Sequence, residues 1–286
     1  YHGMLNQRLY ELSIGDAPPF LRASSGQGFL VRNKEYFSLG ALVEDNGALK
    51  GLEALLLEAR RAQGHGFTTS ELEREKKERL RSIEQAHRER DKTESSRYAA
   101  EYLRNFFQDE PIPGIEYEYG LYKTFVPQIS LAEINDYARR VVRDSSRVLT
   151  VSLPQKDGLR IPQQAELQKV FEVAATASVE PYRDQVNDQP LLAEMPAGGH
   201  ITATKEIPEL GVTEWLLDNG VRVVLKPTQF KNDEIRFTAF SPGGHSRVDD
   251  DGYVAAYFAD GIVQRSGVGA FSAVELQKKL AGKVVK

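Results

Sequence analysis

The chain has 286 residues, enough for one large domain or two ordinary ones with a real core, and its 41% hydrophobic and 27% charged content is that of a soluble globular protein. A net charge of −4 leaves no electrostatic footprint for nucleic acid or an acidic membrane surface. With no cysteine, disulfides and thiolate metal sites are excluded. No apolar run approaches the roughly 20 residues of a spanning helix, and Tyr1 opens no signal-peptide pattern.

Taken in order, Met4, Leu5, Leu9 and Leu12 recur at helical spacing, and Gly15, Pro18 and Pro19 stop that helix. Two strands are expected at Phe20 to Val31 and Tyr36 to Glu44, joined through Arg32-Asn33-Lys34. Asn46-Gly47 leads into a helix with Leu49, Leu52, Leu55, Leu56 and Ala59 on its core side, ended by Gly64 to Gly66. Ser70 and Glu73 have the spacing of a capping box for a long charged helix reaching about Lys92, with Leu72, Leu80 and Ile83 as a narrow apolar stripe. Tyr98, Ala99, Tyr102, Leu103 and Phe106 share a face of the next helix, and Pro111, Pro113 and Gly114 break it. A short helix around Tyr117 to Phe125, a capping box at Ser130 and Glu133, and a helix with Ile134, Tyr137, Ala138, Val141 and Val142 follow. Arg147 to Leu153 reads as a strand, and Pro162 opens a helix through Val170, Phe171 and Ala174.

From Glu180 to Pro208 periodicity is lost and prolines and glycines accumulate, so the composition predicts a linker with few contacts holding it down. Beyond it, Asn219-Gly220 between Trp215–Leu217 and Val221–Leu225 predicts a two-residue hairpin with both central residues at positive φ. A third strand is expected over Ile235, Phe237 and Ala239, broken by Pro242-Gly243-Gly244. Asp249 to Asp251 suit the start of a helix carrying Val254, Ala255, Tyr257, Phe258 and Ile262. Ser272 with Glu275 caps a last helix, Gly282 is a stop, and Val284-Val285 is strand-like. A chain that opens in a helix and ends in a strand reads as a piece of a longer polypeptide.

The hairpin, the strand, the Gly-Gly loop, the acidic step and the helix opened by Gly252 together resemble the entry to a pitrilysin/insulinase-like domain. The resemblance implies an α+β fold of antiparallel or mixed sheets packed against helices. In active members that helix carries H-x-x-E-H, with two imidazoles on one face and a carboxylate that activates water. Laid on this chain, those positions fall on Ala255, Phe258 and Ala259, so the domain resembles the family's inactive type. Arg8-Leu9-Tyr10-Glu11, the Gly/Pro break and Phe20 resemble a second family motif whose later Arg and Tyr help hold substrate. Those positions here are Ser13 and Phe20, and neither side chain is the family's.

The resemblance divides the chain into the later part of a non-catalytic domain (residues 1–180), a Pro/Gly-rich linker (181–210) and the opening of a further domain without the zinc motif (211–286). It implies a parent that is a peptide-degrading zinc metallopeptidase, exported to the periplasm, in which this segment is chamber wall and hinge. Catalytic and metal residues are then none, substrate-binding residues unknown, and zinc belongs to the parent. Partners are the parent's remaining domains and a peptide, gripped by addition to an exposed sheet edge, and not nucleic acid or membrane. A hairpin alone is marginal in water, so it is expected to associate with a second copy or with the first segment. The alternatives are a wholly non-catalytic scaffold, as in the core subunits of the respiratory cytochrome complex, and an independent peptide-binding module of the same fold.

Bolder readings are weak. His245 beside Asp249–Asp251 reads as a solvated loop before a helix start. His87 and Glu89 do not share a helix face, and His65 between two glycines is a turn residue. Gly243-Gly244 and Gly267-x-Gly269 lack the rest of a phosphate loop. The charges from Glu71 to Arg90 alternate as on an exposed helix face. Ser24-Ser25-Gly26 has no partner base nearby in sequence.

Overall fold

The computed structural model describes residues 1–143, 145–232 and 234–283. They form two compact units: one of Tyr1–Ile83, Tyr98–Val186 and the stretch from Leu280 on, the other of Glu84–Arg97 and Asn187–Lys279.

The first unit begins with α1 (His2–Ser13), whose Met4, Leu5 and Leu9 are buried. A hairpin of β1 (Arg22–Val31) and β2 (Lys34–Leu42) follows, in register from Arg22↔Leu42 to Phe29↔Glu35 with an irregularity before Val31. Next come α2 (Ala48–His65), α3 (Thr69–Arg88), α4 (Ser95–Gln108), α5 (Ile115–Phe125), α6 (Leu131–Val141) and α7 (Gln164–Thr176), the end of α3 from Glu84 and the start of α4 to Arg97 being counted with the second unit. The core gathers α1 residues with Phe20, Leu55 and Ala62 of α2, Phe67, Leu72 of α3 and Ala138 of α6. Each fully buried Leu or Phe contributes about 1.5–3 kcal/mol, which explains why the apolar stripes of these helices converge.

One buried polar cluster lies inside that core. Arg8 is 1% exposed and donates through Nε and Nη2 to the two oxygens of Glu71, at 2.7 and 2.8 Å. Its Nη1 lies 3.5 Å from Glu58, and Nη2 also donates to the carbonyl of Gly66 at 3.0 Å. The rings of Phe67 and Tyr182 lie 4.6 and 4.2 Å from the guanidinium carbon. Arg61 pairs with the other oxygen of Glu58. Two cations thus meet two carboxylates, and each charge keeps the partner that burial demands.

This cluster corrects the expected cap of α3. The observed box is Thr68 with Glu71: the Thr68 N–H donates to Glu71 Oε2 at 2.8 Å and the Glu71 N–H to Thr68 Oγ1 at 3.3 Å. Ser70 instead donates to Asp184, and Glu73 pairs with Lys76 at 3.0 Å. A carboxylate shared with Arg8 outweighs an exposed one at the same spacing. The helix ends at Arg88, with a separate short turn at Arg90–Lys92. The box at Ser130 and Glu133 is observed as expected, and the Ser130 N–H and hydroxyl hold Glu133 below the usual carboxylate range.

Two expected strands are absent among the described residues. Arg147–Leu153 joins no ladder, and Val148 is 92% exposed. Residues 234–241 join none either, with Ile235 97% and Phe240 91% exposed. Both have strand-like alternation, but a strand exists only against a partner edge. The start of the Pro-rich stretch is also less free than its composition suggests, because side chains of α1, α2 and α3 hold residues 177–184.

In the second unit, Ile201–Ile207, expected to be irregular, is β3. It pairs antiparallel with β4 (Val212–Leu217), which pairs with β5 (Arg222–Leu225), in the order β3-β4-β5. Thr and Ile at Ile201, Thr202 and Thr204 favour a pleated strand, and β4 supplies the edge. The hairpin therefore finds its third strand in its own unit. Its turn also differs from the expected two-residue form: Gly220 N–H donates to the Leu217 carbonyl and Leu217 N–H to that of Val221, both at 2.9 Å. Gly220 has φ +81° whereas Asn219 is not at positive φ. The loop is a three-residue turn closed by a glycine bulge. Then come α8 (Asp250–Ser266) and α9 (Ala273–Lys279), the latter capped by Ser272 and Glu275 as expected. Val284-Val285 lies outside the described residues.

Replacing Arg8 with Ala leaves the buried Glu71 carboxylate without its cation, while Glu58 keeps Arg61, at an expected cost of about 3–5 kcal/mol. The single tryptophan, Trp215, sits in β4 of the second unit. Urea titration of Arg8→Ala is therefore expected to shift the helical circular-dichroism transition and leave the tryptophan-fluorescence transition in place.

Candidate functional site

The positions on α8 that the family resemblance would assign to zinc chemistry can be followed residue by residue. Asp249 caps the helix, its Oδ1 accepting from the Gly252 N–H at 3.0 Å. The Gly-Gly step before it has φ +131° at Gly243 and +65° at Gly244, a path only glycine takes without strain. Ala255, Phe258 and Ala259 all lie on exposed surface of the helix. Two methyl groups and a phenyl ring offer no lone pair, so the donor set there does not fit zinc. His245 lies edge-on to Tyr253 and Tyr257, at ring distances of 5.3 and 5.9 Å, while the Asp249 carboxylate is engaged as the cap. Among the described residues, no group of three or more His, Asp and Glu is arranged to hold a metal ion.

The second pair of positions lies in the first unit. Ser13 donates its hydroxyl to the Tyr10 carbonyl at 2.7 Å, closing the end of α1. Phe20 is 2% exposed and belongs to the core. Its ring packs among other buried apolar side chains.

Sequence reasoning missed one juxtaposition. Ser25, without a base nearby in the chain, is met in space by His2, whose Nδ1 lies 3.0 Å from its Oγ. The pair is nevertheless structural. Ser25 is 6% exposed and donates its hydroxyl to Asn6 Oδ1 at 2.9 Å. Asn6 also accepts from the Ser25 N–H, at 2.5 Å, and donates to its carbonyl at 3.1 Å. The amide of Asn6 thus takes the place of a neighbouring strand along β1. Burial lowers the His2 pKa. A signal for this in sequence would have been Asn on the inner face of α1, which is too common to single out.

A cleft of about 680 Å³ opens in the same unit between Phe37 and Leu39 of β2, Leu52 and Leu56 of α2, Tyr137 of α6 and Phe171 of α7. Tyr137 Oη donates to Gln27 at 3.0 Å across its edge.

The described residues thus have an α+β fold of helices with a two-stranded and a three-stranded antiparallel sheet. The structure matches the ferredoxin protease FusC, solved as a mutant in complex with Arabidopsis ferredoxin, with a TM-score of 0.54 and 18% identity over 97% of this chain and 31% of that one. In sequence it is 30% identical over 278 residues to a zinc protease PQQL-like from Arabidopsis thaliana. The match takes in 97% of this chain and 26% of the relative, so the chain spans about a quarter of that protease's length and is homologous to that segment. The periplasmic protease PqqL from Escherichia coli also aligns, with 18% identity over 97% of this chain and 31% of its own and a TM-score of 0.49. No protein-family profile matches the chain.

Phe20→Tyr is a direct check on the second pair. A phenol at a substrate-facing position would leave stability unchanged. In the core it buries a hydroxyl without a partner, and a loss of about 1–3 kcal/mol in unfolding free energy is expected.

Proposed function

We propose that this chain is a non-catalytic part of a zinc-dependent, peptide-degrading protease, contributing chamber wall and the hinge between flanking domains. On this reading, residues 1–180 are the later part of one pitrilysin-like domain, 181–210 join it to the next, and 211–286 open a further domain. Zinc and the groups that activate water belong to the parent outside residues 1–286. The partners are the parent's other domains and a peptide. The periplasmic location is part of the same proposal, tested by fractionating cells that express the full-length protein.

The supporting observation is a pair: homology along 97% of the chain to a zinc protease, and an α8 whose motif positions are Ala255, Phe258 and Ala259. A catalytic zinc needs three protein ligands and an open position for water, and a general base must both take and return a proton. None of these side chains does either. No described helix is long and apolar enough to cross a membrane.

Elemental analysis of the dialysed chain, beside a fluorogenic-peptide assay with added zinc, tests the reading. The expected result is less than stoichiometric zinc and no chelator-sensitive hydrolysis by this chain, with both present in the full-length parent. One tightly held zinc per chain would overturn it. A full-length protein lacking both zinc and hydrolysis would be the scaffold instead.

A further inference from the structure

We infer that residues 177–184 form a latch that sets where the stretch after α7 becomes free: flexure lies in residues 188–199, between Asn187, which donates to the Ala270 carbonyl at 3.4 Å, and His200, whose carbonyl accepts from the Asp218 N–H at 2.9 Å, and not at Pro181 where the composition turns irregular. The inference concerns this chain alone and stands whether or not the parent is a peptidase. It narrows the proposed hinge to less than half of the joining segment.

The latch is built from side chains of three helices, each engaging a different point of the strap. From α2, Arg60 Nε donates to the Ala177 carbonyl at 2.8 Å and Arg61 Nε to that of Glu180 at 2.8 Å. His65 Nε2 lies 2.7 Å from the Val179 carbonyl. Since a carbonyl only accepts, that nitrogen carries the proton. From α1, Glu11 accepts the phenol of Tyr182 at 2.7 Å, and the same ring covers the Arg8 guanidinium. Burial first, and then the Glu11 carboxylate, push the Tyr182 pKa up, so the phenol stays a donor. From α3, Arg74 Nη1 pairs with Asp184 Oδ2 at 2.7 Å, with side chains 16% and 5% exposed, and Ser70 donates to the same oxygen.

The exposure pattern follows these anchors. Ala177, Val179, Tyr182 and Asp184 are half-buried, whereas Ser178, Glu180, Pro181 and Arg183 are exposed. That alternation is what an extended strap produces when one side faces a surface. Residues 188–200 are all exposed and in neither helix nor strand. Composition cannot separate the two halves, because Pro181 and Pro190 look alike. What separates them is the charged and aromatic anchoring of Tyr182 and Asp184, against which Arg8, Ser70 and Arg74 are set far back in the chain.

Chymotrypsin under native conditions reads the boundary directly, with mass spectrometry to locate the cuts. The Tyr182–Arg183 bond lies within the latch and the Leu192–Ala193 bond within the stretch proposed as free. In the unaltered chain the expected order is cleavage after Leu192 with the bond after Tyr182 resistant. Asp184→Ala and Arg74→Ala, made separately, are each expected to raise the cleavage rate after Tyr182 by about tenfold or more, the scale set by breaking a largely buried pair. Unchanged hydrogen exchange in α2 would show that the unit itself persists. Cleavage after Tyr182 as fast as after Leu192 in the unaltered chain would overturn the inference. So would an unchanged Tyr182 rate in both variants. The first comparison needs no substitution, so a variant that unfolds does not shield the inference from refutation.

Discussion

The first unit is arranged around a guanidinium that has nowhere else to go. Arg8 is buried on α1 beside the Phe67 ring, where an unpaired charge would cost several kcal/mol, a large fraction of a typical domain's stability. Everything that neutralises it comes from elsewhere: Glu58 on α2, Glu71 at the start of α3, the Gly66 carbonyl between them and the ring of Tyr182 after α7. Those four points cannot be moved independently. The bidentate geometry to Glu71 fixes both distance and plane, so the α2–α3 turn is held against α1. Glu71 at once completes the α3 cap, so the same carboxylate sets the direction in which that helix leaves the turn.

The relation to zinc proteases gives this arrangement its context. Helix α8 has the local features that start a helix after a glycine-rich step, namely the Asp249 cap and the positive φ of Gly243 and Gly244, and carries Ala, Phe and Ala at the positions that the family resemblance assigns to the zinc motif. The residues that start the helix are distinct from those at Ala255, Phe258 and Ala259, so the local fold does not depend on what those three positions carry. Phe20 shows the same separation, as a core side chain at a position that the family resemblance assigns to substrate contact.

What was legible in the sequence was local. Ser130 with Glu133, Ser272 with Glu275, and Asp249 before Gly252 satisfy their bonds within three residues, and each cap lies where spacing put it. Thr68 and Glu71 have the same spacing as Ser70 and Glu73, and nothing local says that the first pair wins. The deciding partner, Arg8, is 63 residues from Glu71. Likewise β3 looks aperiodic until β4 is beside it, and Arg147–Leu153 looks like a strand although no edge meets it. The Tyr182–Glu11 bond joins residues 171 apart, which no window of sequence sees.

The sheet of the second unit has a temporal consequence. Its three strands lie within Ile201–Leu225 and are joined by short turns, so each pairing closes a small loop. Hairpins of this kind form in about 1–10 μs. The Arg8 cluster must close loops of 50 and 63 residues before any of its bonds exists. The part of the chain synthesised later is thus the one able to organise sooner. On a ribosome, α1 waits for Glu71 to emerge before its buried charge has a partner, whereas β3, β4 and β5 pair almost as soon as they clear the tunnel.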